Sequence, residues 1–355
     1  MIVMPETEQK PPRYFHGPWV HRELNQKNLK QFAEAFRAQV VLYDLGATGG
    51  TPPPFLFLGD HVQTVNFEPD ERGSMDPSGV NLCVAVGPEH LNTLYLNRRP
   101  TTSSLLRPNQ RVNGRYDWQP VFGSDADIFE TIDTEEVTTL PLDEVVKVRQ
   151  LELPDFCKID VQGLTLEVLE GGCYVLDTSV LGLVVEVEFI ESYEGQKTVG
   201  AVHQFLEQRG FEIFRVQKVN RWYYATNLPL QHRTGQDTFC DLLCLRSIDS
   251  ITPGSDFWSP DKARKMLQIM LLYDLIDAAA AFLEAFWRCG ILSRGDSLPI
   301  ENLISSWTNA IDFFYHEPPP KPVKVPARPS LLRRMLAISP LDVLRFLRDT
   351  VKRRS

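Results

Sequence analysis

"VVLYDLGATGGTPPPFLFLGDHVQTVNFEPD", residues 40 to 70, decides the fold. It opens on an almost unbroken apolar run, the pattern of a strand buried on both faces of a parallel sheet. Asp44 lies near the end of that run, and Gly46, Ala47, Gly49 and Gly50 form a turn behind it. Glycines in such a turn let the backbone approach a ligand closely, because no Cβ intervenes. Glu68, with Pro69 after it, stands 18 residues beyond Gly50 at the end of a second strand, "VQTVNFEPD". An acid about 20 residues past the glycine turn hydrogen-bonds ribose hydroxyls in nucleotide-binding α/β folds.

The same stretch narrows the ligand. No Gly-Lys-Ser/Thr occurs, so a Walker-type phosphate loop is excluded, and the text Gly-Ala-Thr-Gly-Gly is not the GxGxxG of dinucleotide enzymes. Pro52, Pro53 and Pro54 follow. Prolines suit the first turn of a helix but delete the N–H donors that a phosphate would use there. A carboxylate at Asp44 disfavours a pyrophosphate and favours a cation. S-adenosylmethionine (SAM), with an adenosine, an ammonium and a sulfonium but no phosphate, fits this combination better than NAD. An NAD-dependent oxidoreductase is the competing enzyme reading, and it lacks a convincing Lys, Tyr or His arrangement. A catalytically inactive module of the same fold, acting at a membrane surface or in an assembly, is the non-enzyme reading.

Strands are read at "QVVLYDLGA", "VQTVNFEPD", "VNLCVAVG", "DFCKIDVQG", "LGLVVEVEF", "FEIFRVQKV" and "TFCDLLCLR". Helices are read in "GLTLEVLEGGCYVL", stopped by Gly171 and Gly172, and in "TVGAVHQFLEQRG", ending at Gly210. Strands alternating with helices predict an α/β domain over residues 38–248, preceded by a helical lead-in, residues 1–37. A helical extension (249–316), a proline-rich linker (317–329) and a basic amphipathic tail (330–355) follow.

With 43% hydrophobic and 23% charged residues the chain is globular rather than disordered, and its net charge of −9 gives no reason to expect nucleic acid. Residues 321–355, however, carry ten Lys/Arg against Asp342 and Asp349. Leu344, Leu347 and Val351 share one helical face there, next to Arg345, Arg348 and Lys352, as in helices that lie on anionic lipid. The six cysteines form no CxxC pair and read as reduced core residues of a cytoplasmic protein. No secretory h-region opens the sequence. "MLQIMLLYDLIDAAAAFLEAFW" is interrupted by Asp274, Asp277 and Glu284, and reads as a soluble helix rather than a membrane span.

"DLGATGG…VNFEPD", "TTSSLL" (101–106), "TTLPLDEV" (138–145), "CKIDVQGLTLEVLEGG" (157–172) and "VVEVEFIESYEGQKTVGAVHQFLEQRGFEIF" (184–214) occur in that order. Together they resemble the FkbM family of SAM-dependent methyltransferases over residues 38–248. The resemblance implies a Rossmann-like class I methyltransferase fold: a seven-stranded, mostly parallel sheet with helices on both faces and the last strand antiparallel. It also implies O-methylation of a hydroxyl, often on a sugar, a polysaccharide precursor or another small molecule. Thr165 departs from the family, which commonly has Glu there, and the glycine loop is a shorter, proline-followed variant.

Asp44, Gly46, Ala47, Gly49, Gly50, Glu68, Pro69, Ser103 and Ser104 are the expected cofactor-binding residues. Asp160 ends the fourth strand, where ligands sit in open α/β sheets, and a carboxylate there can take a proton from a hydroxyl or help anchor a metal. It can equally cap the next helix or pair with Lys158, two residues earlier on the same strand face. Glu186 and Glu188 share one face of the fifth strand, and unpaired acids inside a central strand are costly to bury. Asp160, Glu186 and Glu188 are therefore the expected catalytic acids, with Tyr193 and Gln196 on the substrate side. Asp143 reads as a helix cap, and the seven histidines fall in no metal-ligand pattern, so no metal site is expected.

Overall fold

Val40–Leu45 forms strand β1, with every residue buried, and the rest of the sheet is arranged about it. In the computed structural model the described residues are 38–48, 58–73, 79–118, 127–228 and 232–311, with Phe32, Ala35, Phe36, Pro52 and Phe55. The chain divides into two units, Met1–Ser306 and Trp307–Ser355. Of the second, only the last turns of a helix, residues 307–311, are described. The expected linker and basic tail lie outside the described residues, as do Gly49, Gly50, Pro53, Pro54 and most of the lead-in helix.

Ten strands are described: β1, β2 (Val62–Phe67), β3 (Val80–Leu82), β4 (His90–Asn97), β5 (Tyr116–Asp117), β6 (Thr131–Thr139), β7 (Phe156–Ile159), β8 (Gly182–Glu188), β9 (Phe211–Tyr224) and β10 (Gln236–Arg246). The main sheet runs β3-β2-β1-β7-β8-β10-β9-β5. Pairing is parallel from β3 through β8. The last strand, β10, is antiparallel to both β8 and β9. All seven expected strands lie in this sheet, and the two-residue edge strand β5 makes an eighth. Such an order reverses direction beside β1, where open α/β sheets leave a crevice at the carboxyl ends of their strands.

Two elements depart from the sequence reading. β3 covers only Val80–Leu82 rather than all of "VNLCVAVG". β4 and β6 form a separate antiparallel ribbon that was not expected. The third departure is local: the long apolar stretch after residue 265 is two helices rather than one. They break at Asp274, whose φ of 55° is left-handed, the usual end of a helix.

The helices described are α1 (Gln110–Asn113), α2 (Leu142–Arg149), α3 (Thr165–Glu170), α4 (Cys173–Thr178), α5 (Val199–Gln208), α6 (Pro260–Leu272), α7 (Ile276–Arg288) and α8 (Arg294–Ile311). Alternate residues of the central strands supply one core face: Val41, Tyr43, Leu45, Cys157, Ile159, Leu183, Val185 and Val187. Val145 of α2, Val168 of α3, Val175 of α4 and Val202 of α5 pack onto it. Asp143, in the first turn of α2, accepts from the N–H groups of Tyr174 and Val175 and so caps α4 rather than its own helix.

The opposite face is closed near its base by aromatic rings. Phe156 of β7 stacks on Tyr273, just past α6, at 5.7 Å, and meets Phe55 at 4.9 Å. Asp155 locks this layer in place. One carboxylate accepts from the Val41 N–H at 2.8 Å and from Lys265 of α6 at 2.9 and 3.1 Å. Asp155→Ala would leave a buried N–H unpaired and an ammonium largely uncompensated, a loss of about 3 kcal/mol. Urea unfolding is expected to report that loss as a lower midpoint, with Asp155→Asn intermediate.

Candidate functional site

The carboxyl ends of β1, β2 and β7 open into a cleft with about 740 Å³ of empty space, walled on the far side by β4 and the segment 100–105. At its β2 end stands Glu68. Its Oε2 accepts from the Thr48 hydroxyl at 2.5 Å and its Oε1 from the Asp70 N–H at 2.9 Å. Burial pushes this carboxyl up, and those two donors oppose the shift. Each oxygen keeps acceptor capacity toward the cleft, the requirement for holding a vicinal diol. Pro69 lines the cleft beside it.

Asp70 also lines the cleft, but its carboxylate is already occupied by Arg72 at 2.6 and 2.9 Å and by the Ser103 hydroxyl at 2.9 Å. Arg72 reaches on to the Asn97 carbonyl at 3.1 Å. These bonds tie Ser103 to the β2 loop. Ser104, also on the wall, donates to the Gln162 carbonyl at 2.6 Å.

Gly46 lines the cleft at the β1 end with φ of 79°. A Cβ there would lie 1.9 Å from the Asp160 carbonyl oxygen, so the close approach that demands glycine is to the β7 loop. The Gly46 and Ala47 N–H groups both donate to the Phe67 carbonyl and are spent inside the protein. Asp44 is fully buried behind the cleft, and its Oδ1 accepts from Lys158 at 2.9 Å while Oδ2 has no hydrogen-bond partner among the described residues. The cation nearest Asp44 is therefore a side chain of the same sheet.

Lys158 continues the polar row, 3.8 Å from Asp160 Oδ2. Burial disfavours the ammonium, but Asp44 and Asp160 outweigh burial and raise its pKa. Asp160 and Gln162 line the cleft; Glu186 and Glu188 do not. Gln162 Nε2 donates to Asp160 Oδ1 at 2.7 Å and to Glu186 Oε1 at 2.9 Å. Glu186 pairs in register with Asp241, which holds Lys218 at 2.6 Å. Burial, then the charges of Asp160 and Glu188, push Glu186 well above the usual carboxylate range.

Tyr193 and Gln196 are buried under this row rather than on the cleft wall. The Tyr193 hydroxyl shares its proton between the Thr102 carbonyl (2.9 Å) and Gln162 Oε1 (3.0 Å). The Tyr193 N–H donates to Gln196 Oε1. Thr48, Arg72 and Gln162 were not anticipated; the one hint for them is their proximity to the glycine turn, Asp70 and Asp160. Among the described residues, no group of three or more His, Cys, Asp or Glu is arranged to hold a metal, and no helix is long and apolar enough to cross a membrane.

Residues 44–213 match the family model of the methyltransferase FkbM domain. No curated protein matches the sequence significantly. Among solved structures, the chain is similar to a precorrin-6y C5,15-methyltransferase from Geobacter metallireducens GS-15: 12% identity, 64% of this chain and 94% of that one, TM-score 0.26. It is also similar to the magnesium protoporphyrin IX methyltransferase from Synechocystis PCC 6803, solved with bound SAM: 13% identity, 62% and 79% coverage, TM-score 0.25.

Glu188 gives the acid row a measurable signature. Burial, aided by the charge of Asp160, pushes its carboxyl up to about 8. A carboxyl whose folded pKa is raised favours folding most below its unfolded value, and that contribution fades as pH rises through the folded value. Stability should therefore fall between about pH 5 and pH 8–9. In urea titrations across that window, Glu188→Gln is expected to lose roughly 2–4 kcal/mol less than the wild type.

Proposed function

We propose, for a chain whose residues 44–213 are an FkbM methyltransferase domain, that the reaction is transfer of a methyl group from SAM to a hydroxyl of a small molecule, such as a sugar or polysaccharide precursor. The carrying observation is the position of two carboxylates on one cleft: Glu68 at the end of β2 and Asp160 at the end of β7. The residues present suit this cofactor. Glu68, braced by Thr48, has acceptor oxygens for the ribose hydroxyls. Val84, Ala85 and Val86 supply apolar surface for an adenine. The Gly46 and Ala47 N–H groups, which a pyrophosphate would need, are already committed to Phe67, a point against NAD.

When bound, SAM supplies an electrophilic methyl on a sulfonium, so that a C–O bond forms as the C–S bond breaks and sulfur keeps the electron pair. The chain's own work is positioning and proton removal. Asp160 is the base: it faces the cleft and takes the hydroxyl proton as the oxygen attacks. Glu186 and Glu188 act from behind it, through Gln162 and the buried row. Tyr193 and Gln196 hold the segment that closes this end. Ser103 and Ser104 hold the wall opposite, and Asp44 with Lys158 keeps the ends of β1 and β7 together.

Calorimetry of the full chain with SAM and with NAD tests the reading; binding of NAD without binding of SAM would overturn it. Glu68→Ala is expected to weaken SAM about 10- to 100-fold, the loss of hydrogen bonds to a charged group. Asp160→Asn should leave SAM affinity within a few-fold and lower turnover by roughly 10²- to 10⁴-fold.

A further inference from the structure

Gln162 spends its side chain entirely on the protein although it lines the cleft. Its one amide nitrogen donates to Asp160 Oδ1 at 2.7 Å and to Glu186 Oε1 at 2.9 Å, and its oxygen receives the Tyr193 hydroxyl at 3.0 Å. The backbone is held as firmly. Gln162 has φ of 52°, a left-handed conformation uncommon for a residue with a Cβ. Its carbonyl accepts from Ser104 at 2.6 Å. The next residue, Gly163, has φ of 97° and abuts the Tyr193 ring: a Cβ there would sit 3.0 Å from it.

This arrangement solves a problem set by the sheet. Asp160 and Glu186 sit at the ends of neighbouring parallel strands, close enough that a hydrogen bond between the two carboxyls helps to raise Glu186. An oxygen of Asp160 must still stay turned to the cleft if it is to accept a proton from a substrate. An amide NH₂ has two hydrogens, and here each is committed to a different carboxyl. The phenol of Tyr193 fixes which end of the amide faces the acids.

We propose that Gln162 is the positioning residue of the base: its one amide nitrogen bridges Asp160 and Glu186 and holds the Asp160 carboxyl at the cleft. The inference rests on the methyltransferase reading for its consequence in turnover, but not for its consequence in titration. Around the pair stand Lys158 on β7, Asp44 on β1, Glu188 on β8, Asp241 on β10, Lys218 on β9 and the Tyr193 phenol. The N–H that Gln162 donates to Glu186 favours the ionised form of that acid, and its loss should move the Glu186 titration upward.

The test uses the full chain with carbon-13 in its Asp and Glu carboxyls, assigned with Asp160→Asn and Glu186→Gln. Gln162→Leu keeps the bulk and removes the amide. The titration of Glu186 is expected to rise by about one pH unit or more. With SAM and a panel of free sugars, S-adenosylhomocysteine release should fall about 10- to 100-fold at neutral pH, its acid limb should shift the same way, and KM for SAM should stay within threefold. Tyr193→Phe removes only the hydroxyl that orients the amide; it should shift the titration in the same direction by less, and it carries the test if Gln162→Leu does not fold. An unchanged carboxyl titration, or an effect confined to melting temperature, would overturn the proposal. Absence of SAM binding by the wild type would instead sink the methyltransferase reading and leave the titration result standing.

Discussion

Lys158 stands between Asp44 and Asp160, and the functional end of the sheet depends on it. Parallel pairing in register sets Lys158 beside Asp44. The two-residue period of a strand then sets Asp160 on the same face as Lys158. Asp44 is fully buried, so without the ammonium its charge would be uncompensated, at a penalty of several kcal/mol. The pair therefore draws the carboxyl ends of β1 and β7 together. Gly46 completes the approach, because only a residue without a Cβ can lie against the Asp160 carbonyl.

That geometry gives a different physical meaning to the glycine turn. Read as sequence, Gly46 and Ala47 are places where a ligand meets the backbone. Folded, Gly46 makes room for another loop, and the N–H groups of both residues are held by Phe67. The side chains left facing the cleft there are Glu68, braced by Thr48, and the apolar wall at Val84–Val86, and the proposed cofactor contacts are theirs. Pro52, whose carbonyl accepts from the Phe55 N–H, offers no donor either. Both features point away from phosphate.

The seven principal strands were legible because their burial writes itself into composition: β1, β7 and β8 read as apolar runs. The β4–β6 ribbon was not, since β6 exposes most of "TIDTEEVTT" and has neither alternation nor an apolar run. The break at Asp274 was hidden for the opposite reason: apolar residues flank it on both sides, and an aspartate in the left-handed region carries no pattern. Glu68 and Asp160 were expected at the cleft because strand ends are where such folds keep their ligands, and both line it. Gln162 and Thr48 could not, because what makes them matter is a partner 31 or 20 residues away in sequence. Glu186 and Glu188 were read as sharing one face of their strand, as two residues apart in β8 must, but a strand pattern cannot tell a cleft wall from the layer behind it.

Charge balance connects these layers. Asp44, Asp160, Glu186, Glu188 and Asp241 are gathered on one end of the sheet, facing Lys158 and Lys218. In a partly dry site an excess of acids must bind protons or meet cations. The upward shifts of Glu186 and Glu188 are the proton part of that answer, and both lie behind Gln162. Asp160, on the cleft side, is the acid left to face what enters. A pyrophosphate would add negative charge to this end, whereas a sulfonium would reduce the excess. The acid row thus favours a cofactor whose reacting methyl is carried on a cationic sulfur.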